Sequence, residues 1–176
     1  MFLSEENSNE SGTVIIPALE GTRPLLVEIQ SLVAPTPYVP PRRTSDSIDI
    51  KKIQLLLAVL EKRVHLNMGT CDVYVKVAGG IKIDDPAVDL ALCCAMASSF
   101  RNQSIKPQTI IFGEVGLSGE VRSVSQPDIR VREAIRMGFT NIILPAKNLE
   151  RLEHFASNVQ IHGVRYLSEA LKIALN

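Results

Sequence analysis

From Val88 to Ala97 the chain reads VDLALCCAMA, apolar at every position except Asp89. The surrounding segment, about Pro86 to Phe100, has the length and composition of a helix but no polar face to turn toward water. Such a helix has to be wrapped by protein on all sides, so the fold must be layered around it. The rest of the chain is sufficient for that: 176 residues, 45% apolar and 22% charged, match one domain of ordinary size.

Strands and helices alternate along the sequence. Thr13 to Leu19 and Leu25 to Val33 are rich in branched aliphatics and flank Glu20-Gly21-Thr22-Arg23-Pro24, which predicts two strands around a turn. Pro35, Pro37, Pro40 and Pro41 then remove backbone donors, so Ala34 to Arg43 is expected as an extended surface loop. Ile53, Leu56, Leu57, Leu60 and Val64 recur at helical spacing and predict a helix over 48–64, capped by Asp46 or Ser47. Cys71 to Ala78 alternates and is β-branched, the pattern of a strand that ends at Gly79-Gly80. Thr109 to Phe112 and Glu114 to Leu117 read as strand segments around Gly113, and Ser118-Gly119-Glu120 as a hairpin turn into Val121 to Val124. A helix over 127–137 stops at Gly138 in a left-handed cap. A strand over 141–144, a helix starting near Asn148, a strand over 159–162 and a helix over 168–175 complete a mixed α/β chain without internal repeats.

Nineteen basic and nineteen acidic residues cancel, so any contact with nucleic acid has to come from a local patch. No apolar run reaches the roughly 20 residues of a membrane span, and the acidic start Met1 to Glu10 lacks the features of a secretory signal. It reads as a solvated tail or linker. Cys71, Cys93 and Cys94 are an odd count without metal-ligand spacing, expected as buried thiols in a reducing compartment. His65, His154 and His162 are scattered, so no metal site is expected.

Four segments, in fixed order, carry a resemblance: Glu20 to Gln30 (EGTRPLLVEIQ), Ala58 to Arg63 (AVLEKR), Val77 to Gly80 (VAGG) and Gly113 to Arg122 (GEVGLSGEVR). They resemble the C-terminal domain of the RadA (Sms) family of bacterial DNA repair proteins, over nearly all of residues 13–176. That domain is in turn similar to the proteolytic domain of the Lon proteases. The resemblance therefore implies an α/β (α+β) fold of mixed sheets with packed helices, akin to domain 2 of ribosomal protein S5. It also implies that residues 1–12 are the linker stub of an ATPase domain lying outside this sequence.

Active Lon domains carry a segment K-D-G-P-S-A-G whose serine is the nucleophile. Asp84-Asp85-Pro86-Ala87 occupies the D-G-P-S positions, so Ala87 stands where the serine would be. The Lon lysine lies in G-E-V…G-G-x-K-E-K, and counting from Gly113-Glu114-Val115 without a gap brings it to Asp128. A serine–lysine mechanism needs a hydroxyl and an amine that can take its proton. A methyl group cannot attack a carbonyl, and a carboxylate at 128 has nothing to activate. Ser98 and Ser99 lie well down the same helix and Lys82 precedes its turn, so no neighbour replaces the dyad. By residue type alone, Asp84 and Asp85 before Pro86 also suit an ordinary helix start, where acids meet the positive end of the dipole. Asp89 either serves the same end or makes an interface contact.

The candidates for phosphate contacts are Arg42 and Arg43 on the proline-rich loop, and Arg122, Arg130, Arg132 and Arg136 around the third helix. The competing reading is a solvated face, with Glu133 interleaved and Arg132 and Arg136 on one side. No aromatic platform accompanies them in sequence, so base stacking is not expected. The resemblance implies a hexameric, DNA-dependent ATPase and branch-migration motor in recombinational repair, in the bacterial cytoplasm or an organelle. DNA and recombination proteins would be its partners, and this domain its non-catalytic scaffold. The family's zinc motif of cysteine pairs is missing here, and no G-x-x-x-x-G-K-[ST] loop occurs, so ATP, Mg and Zn are expected only in other domains. An active or cryptic peptidase, and a binding module for protein partners, are the alternatives.

Overall fold

Branched aliphatics near the start of the chain form two long antiparallel strands, β1 (Thr13–Glu20) and β2 (Arg23–Pro35), in register from Thr13 opposite Gln30 to Glu20 opposite Arg23. The computed structural model describes residues 10–152, 154–155 and 158–175; residues 1–9, expected as a solvated tail or linker, lie outside them. β2 outruns β1 and pairs antiparallel with β4 (Cys71–Val77), from Ile29 opposite Val77 to Pro35 opposite Cys71. Its alternation is visible in burial: Ile29, Ser31 and Val33 are buried, while Gln30 and Leu32 face solvent.

Beyond the proline-rich loop the chain departs from the expected helix start. A short strand, β3 (Arg43–Asp46), runs parallel to β4 at the edge of the sheet. Its residues Arg-Thr-Ser-Asp have no apolar alternation, because a polar edge strand is held by main-chain pairing alone. Asp46 is thereby committed to the strand, and the first helix, α1 (Ile50–Val64), is capped by Asp49, whose carboxylate accepts from Lys51 N at 3.0 Å.

α2 (Val88–Arg101) is the buried helix that the apolar segment requires: every residue from Val88 to Ser99 is buried. It packs on β1 and β2 and also touches α1, α5 (Leu167–Ala174) and β6 (Glu114–Val115). At about 1.5–3 kcal/mol for each large apolar side chain, its residues form one of the main cohesive elements of the domain. Cys93 and Cys94 are fully buried within it, and burial pushes the Cys94 thiol up to about 12, so these are packing groups rather than nucleophiles.

The second half of the chain adds β5 (Thr109–Ile111), β8 (Asn141–Pro145) and β9 (Gln160–Val164), all parallel. With them the main sheet has seven strands in the order β3-β4-β2-β1-β5-β8-β9, while β6 and β7 (Val121–Arg122) form a separate ribbon. α3 (Pro127–Arg136) packs over β1 and β2 and ends before Gly138, whose φ of 92° is the left-handed turn expected there. The four-residue α4 (Ala146–Leu149) lies against β8 and β9.

Candidate functional site

The segment Asp84 to Ala87 leads directly into α2. Asp85 folds back on this turn: its Oδ1 accepts from Ala87 N at 3.0 Å, and its Oδ2 accepts from Leu19 N on β1 at 3.1 Å. Ala87, which the motif count sets at the nucleophile position, has no exposed surface, and its carbonyl accepts from Gly113 N at 2.9 Å. Both faces of this corner are thus occupied by the protein itself.

What fills the corner is Arg130. Its sequence neighbours group it with the phosphate candidates, but it is only 1% exposed and cannot meet DNA. Its guanidinium grips Asp85 with both ends, Nη1 to Oδ2 at 2.7 Å and Nη2 to Oδ1 at 3.1 Å. Nη1 also donates to Pro17 O at 2.9 Å and Nε to Ser125 O at 3.0 Å, and the group lies 5.7 Å from the Phe112 ring centroid. A buried charge persists only when it is paired and bonded in this way. Burial pushes the Asp85 carboxyl up, but Arg130 and the two amides outweigh it and hold the group below its ordinary value. The fork ties α3 to β1 and to the start of α2.

Asp128, which the ungapped motif count sets at the lysine position, stands in the first turn of α3, and its Oδ1 is buried without a hydrogen-bond partner among the described residues. Residues 51–176 match the profile of the Lon protease (S16) C-terminal proteolytic domain. The chain belongs to that family. It is also 45% identical over 175 residues to the DNA repair protein RadA of Halalkalibacterium halodurans, covering 99% of this chain and 38% of that protein. The RadA of Bacillus subtilis is 46% identical over the same length, and that of Synechocystis sp. 47% identical over 145 residues, 82% of this chain. The chain thus spans 38% of the length of the first of these relatives. Among the described residues no helix is long and apolar enough to cross a membrane.

In the first turn of α2 of this Lon-family domain, Asp89 is buried and pairs with Lys52 of α1 at 2.6 Å, while its second oxygen accepts from Val115 N at 3.2 Å. Burial raises this carboxyl despite the lysine. The pair closes one end of a cavity of about 240 Å³ whose apolar walls are Leu55, Leu56, Val59, Val115 and Leu117. Ala87 is not part of the cavity's lining.

The remaining arginines are spread over β3, β7, α3 and the loop before β3. Arg43 is spent on structure, with its guanidinium bonded to the carbonyls of Cys71 and Met68. Arg136 is exposed but forked onto Glu133 at 2.6 and 3.0 Å. Arg122 on β7 and Arg132 on α3 are exposed. Arg42 is exposed and stacks on Tyr38, with 4.2 Å from its guanidinium carbon to the ring centroid. An aromatic group therefore does accompany the basic loop, contrary to the expectation from sequence, because Pro40 and Pro41 lie between residues 38 and 42 and no helix or strand spans them.

Proposed function

We propose that this Lon-family domain has lost peptidase chemistry and serves as a scaffold and DNA-contacting platform in a protein of the RadA type. One observation carries the reading: the nucleophile position holds a methyl group with no exposed surface, and the space beside it is filled by the Asp85–Arg130 pair. A substrate carbonyl has neither an attacking oxygen nor a path to the corner. The relatives' name, DNA repair protein, supports a role in repair. In such a protein ATP hydrolysis with Mg, and zinc binding, fall to other domains, and six copies closing a ring around DNA in the bacterial cytoplasm would let weak contacts add through effective concentration. Arg42 and Arg122 are the arginines best placed to meet phosphate.

The peptidase half is tested by incubating the chain with unfolded casein and with a fluorophosphonate probe. Neither cleavage nor labelling is expected, and Ala87→Ser stays unlabelled because the position is buried; labelling at residue 87 or within α2 in either protein overturns the reading. For DNA, a duplex is titrated at several salt concentrations. Arg42→Ala should lower affinity and reduce the slope of log K against log salt by roughly 0.9 for each phosphate no longer neutralised. Unchanged affinity and slope in Arg42→Ala and in Arg122→Ala would make both a solvated surface. A ring is checked by light scattering on the intact protein with nucleotide and DNA, where a monomer contradicts it.

A further inference from the structure

The loop between β2 and β3 presents its aromatic and cationic groups on a fixed base. Thr36 N donates to Thr70 O at 3.1 Å on one side, and Val73 N donates to Arg42 O at 2.9 Å on the other. Arg42 N donates to Asp72 Oδ1 at 2.6 Å, and Arg43 clamps the same stretch through the carbonyls of Cys71 and Met68. Between these anchors Tyr38 is 55% exposed and Val39 95% exposed. Among the described residues no carboxylate pairs with the Arg42 guanidinium, and the Tyr38 hydroxyl has no hydrogen-bond partner.

A ring half open to solvent, carrying an unneutralised cationic plane, matches a flat ring joined to a negative charge. That is the chemistry of an unpaired nucleobase and its phosphate. Bases in a duplex stack on each other and offer only their edges, so a stacking contact selects the single-stranded form.

We propose that Tyr38 and Arg42 form a base-stacking contact for single-stranded nucleic acid, with the base against their stack and its phosphate on the guanidinium. The proposal rests on the reading that the domain contacts DNA, and adds which form of the strand this loop holds.

The chain has no tryptophan, so Tyr38→Trp introduces a single indole that reports directly on stacking. Titration with oligo(dT) at low salt should quench its fluorescence saturably, and a matched duplex should not. In parallel, Tyr38→Ala should weaken binding of labelled oligo(dT) about tenfold while leaving duplex affinity within about twofold, and Tyr38→Phe should retain most of it. Because residue 38 is on an exposed loop, far-UV circular dichroism of each variant should match that of the unaltered chain. Equal losses for single strand and duplex would overturn the stacking proposal and leave the DNA reading standing. No binding of either form would overturn both. Quenching by an acidic aromatic peptide but not by oligo(dT) would assign the pair to a protein partner and overturn the proposal.

Discussion

Replacing Arg130 by methionine keeps much of the side-chain volume and removes four hydrogen bonds: two to Asp85, one to Pro17 O and one to Ser125 O. Asp85, only 9% exposed, is left without its counter-charge. Removing one partner of a buried pair costs about 3–5 kcal/mol, and two orphaned carbonyls place this case toward the upper end. Typical domains have about 5–15 kcal/mol in total, so the variant is expected to remain folded but to be markedly weakened. With a urea slope of about 2 kcal/mol per molar, the midpoint followed by far-UV circular dichroism should fall by about 2 M. Asp85→Asn in the same chain should recover part of the loss, since it removes the stranded carboxylate, and the cycle should show coupling of about 2 kcal/mol or more. A midpoint for Arg130→Met within about 0.25 M of the unaltered chain, the behaviour of an exposed arginine, would refute the structural role of the pair.

Two further outcomes follow from the same corner and its neighbour. Asp85 is held below its ordinary value, so the folded chain binds that proton more weakly than the unfolded one; its stabilisation is complete above about pH 4 and is lost as pH falls through the depressed folded value. Asp89 is raised and acts in the opposite sense, so Asp85→Asn should flatten the acid loss of stability measured by urea titrations between pH 3 and pH 7, and parallel curves would contradict this. Gly12 has φ of 89°, and a Cβ there would lie 2.2 Å from Ser31 O, so Gly12→Ala should cost about 2–3 kcal/mol and lower the thermal midpoint by several degrees.

The apolar segment of α2 foretells its own burial because composition alone decides that a helix has no wet face. Likewise β1, β2 and α1 are legible from their periods, whereas β3 is not, since a polar edge strand carries no pattern that burial imposes. The site is harder to read. Ala87 and Asp128 are located by counting along family motifs, but the pairing of Asp85 with Arg130 joins residues 45 positions apart, and local spacing carries no record of it. An arginine beside other arginines looks like surface until a buried carboxylate is known to face it. Tyr38 and Arg42 are four residues apart but lie on a proline-rich loop rather than a helix, so only the loop's anchoring to β4 reveals that they meet.

The main sheet has a narrow waist. β1 and β5 share a single register pair, Ile15 with Ile110, so main-chain pairing alone joins the two wings of the sheet weakly. The corner at the start of α2 adds further ties: Gly113 N donates to Ala87 O, Leu90 N donates to Gly113 O, and Arg130 reaches across to Pro17 of β1. The two wings are therefore joined around the sheet as well as through it, and a break in the short β1–β5 pairing would leave them still tied through Ala87, Gly113 and Arg130.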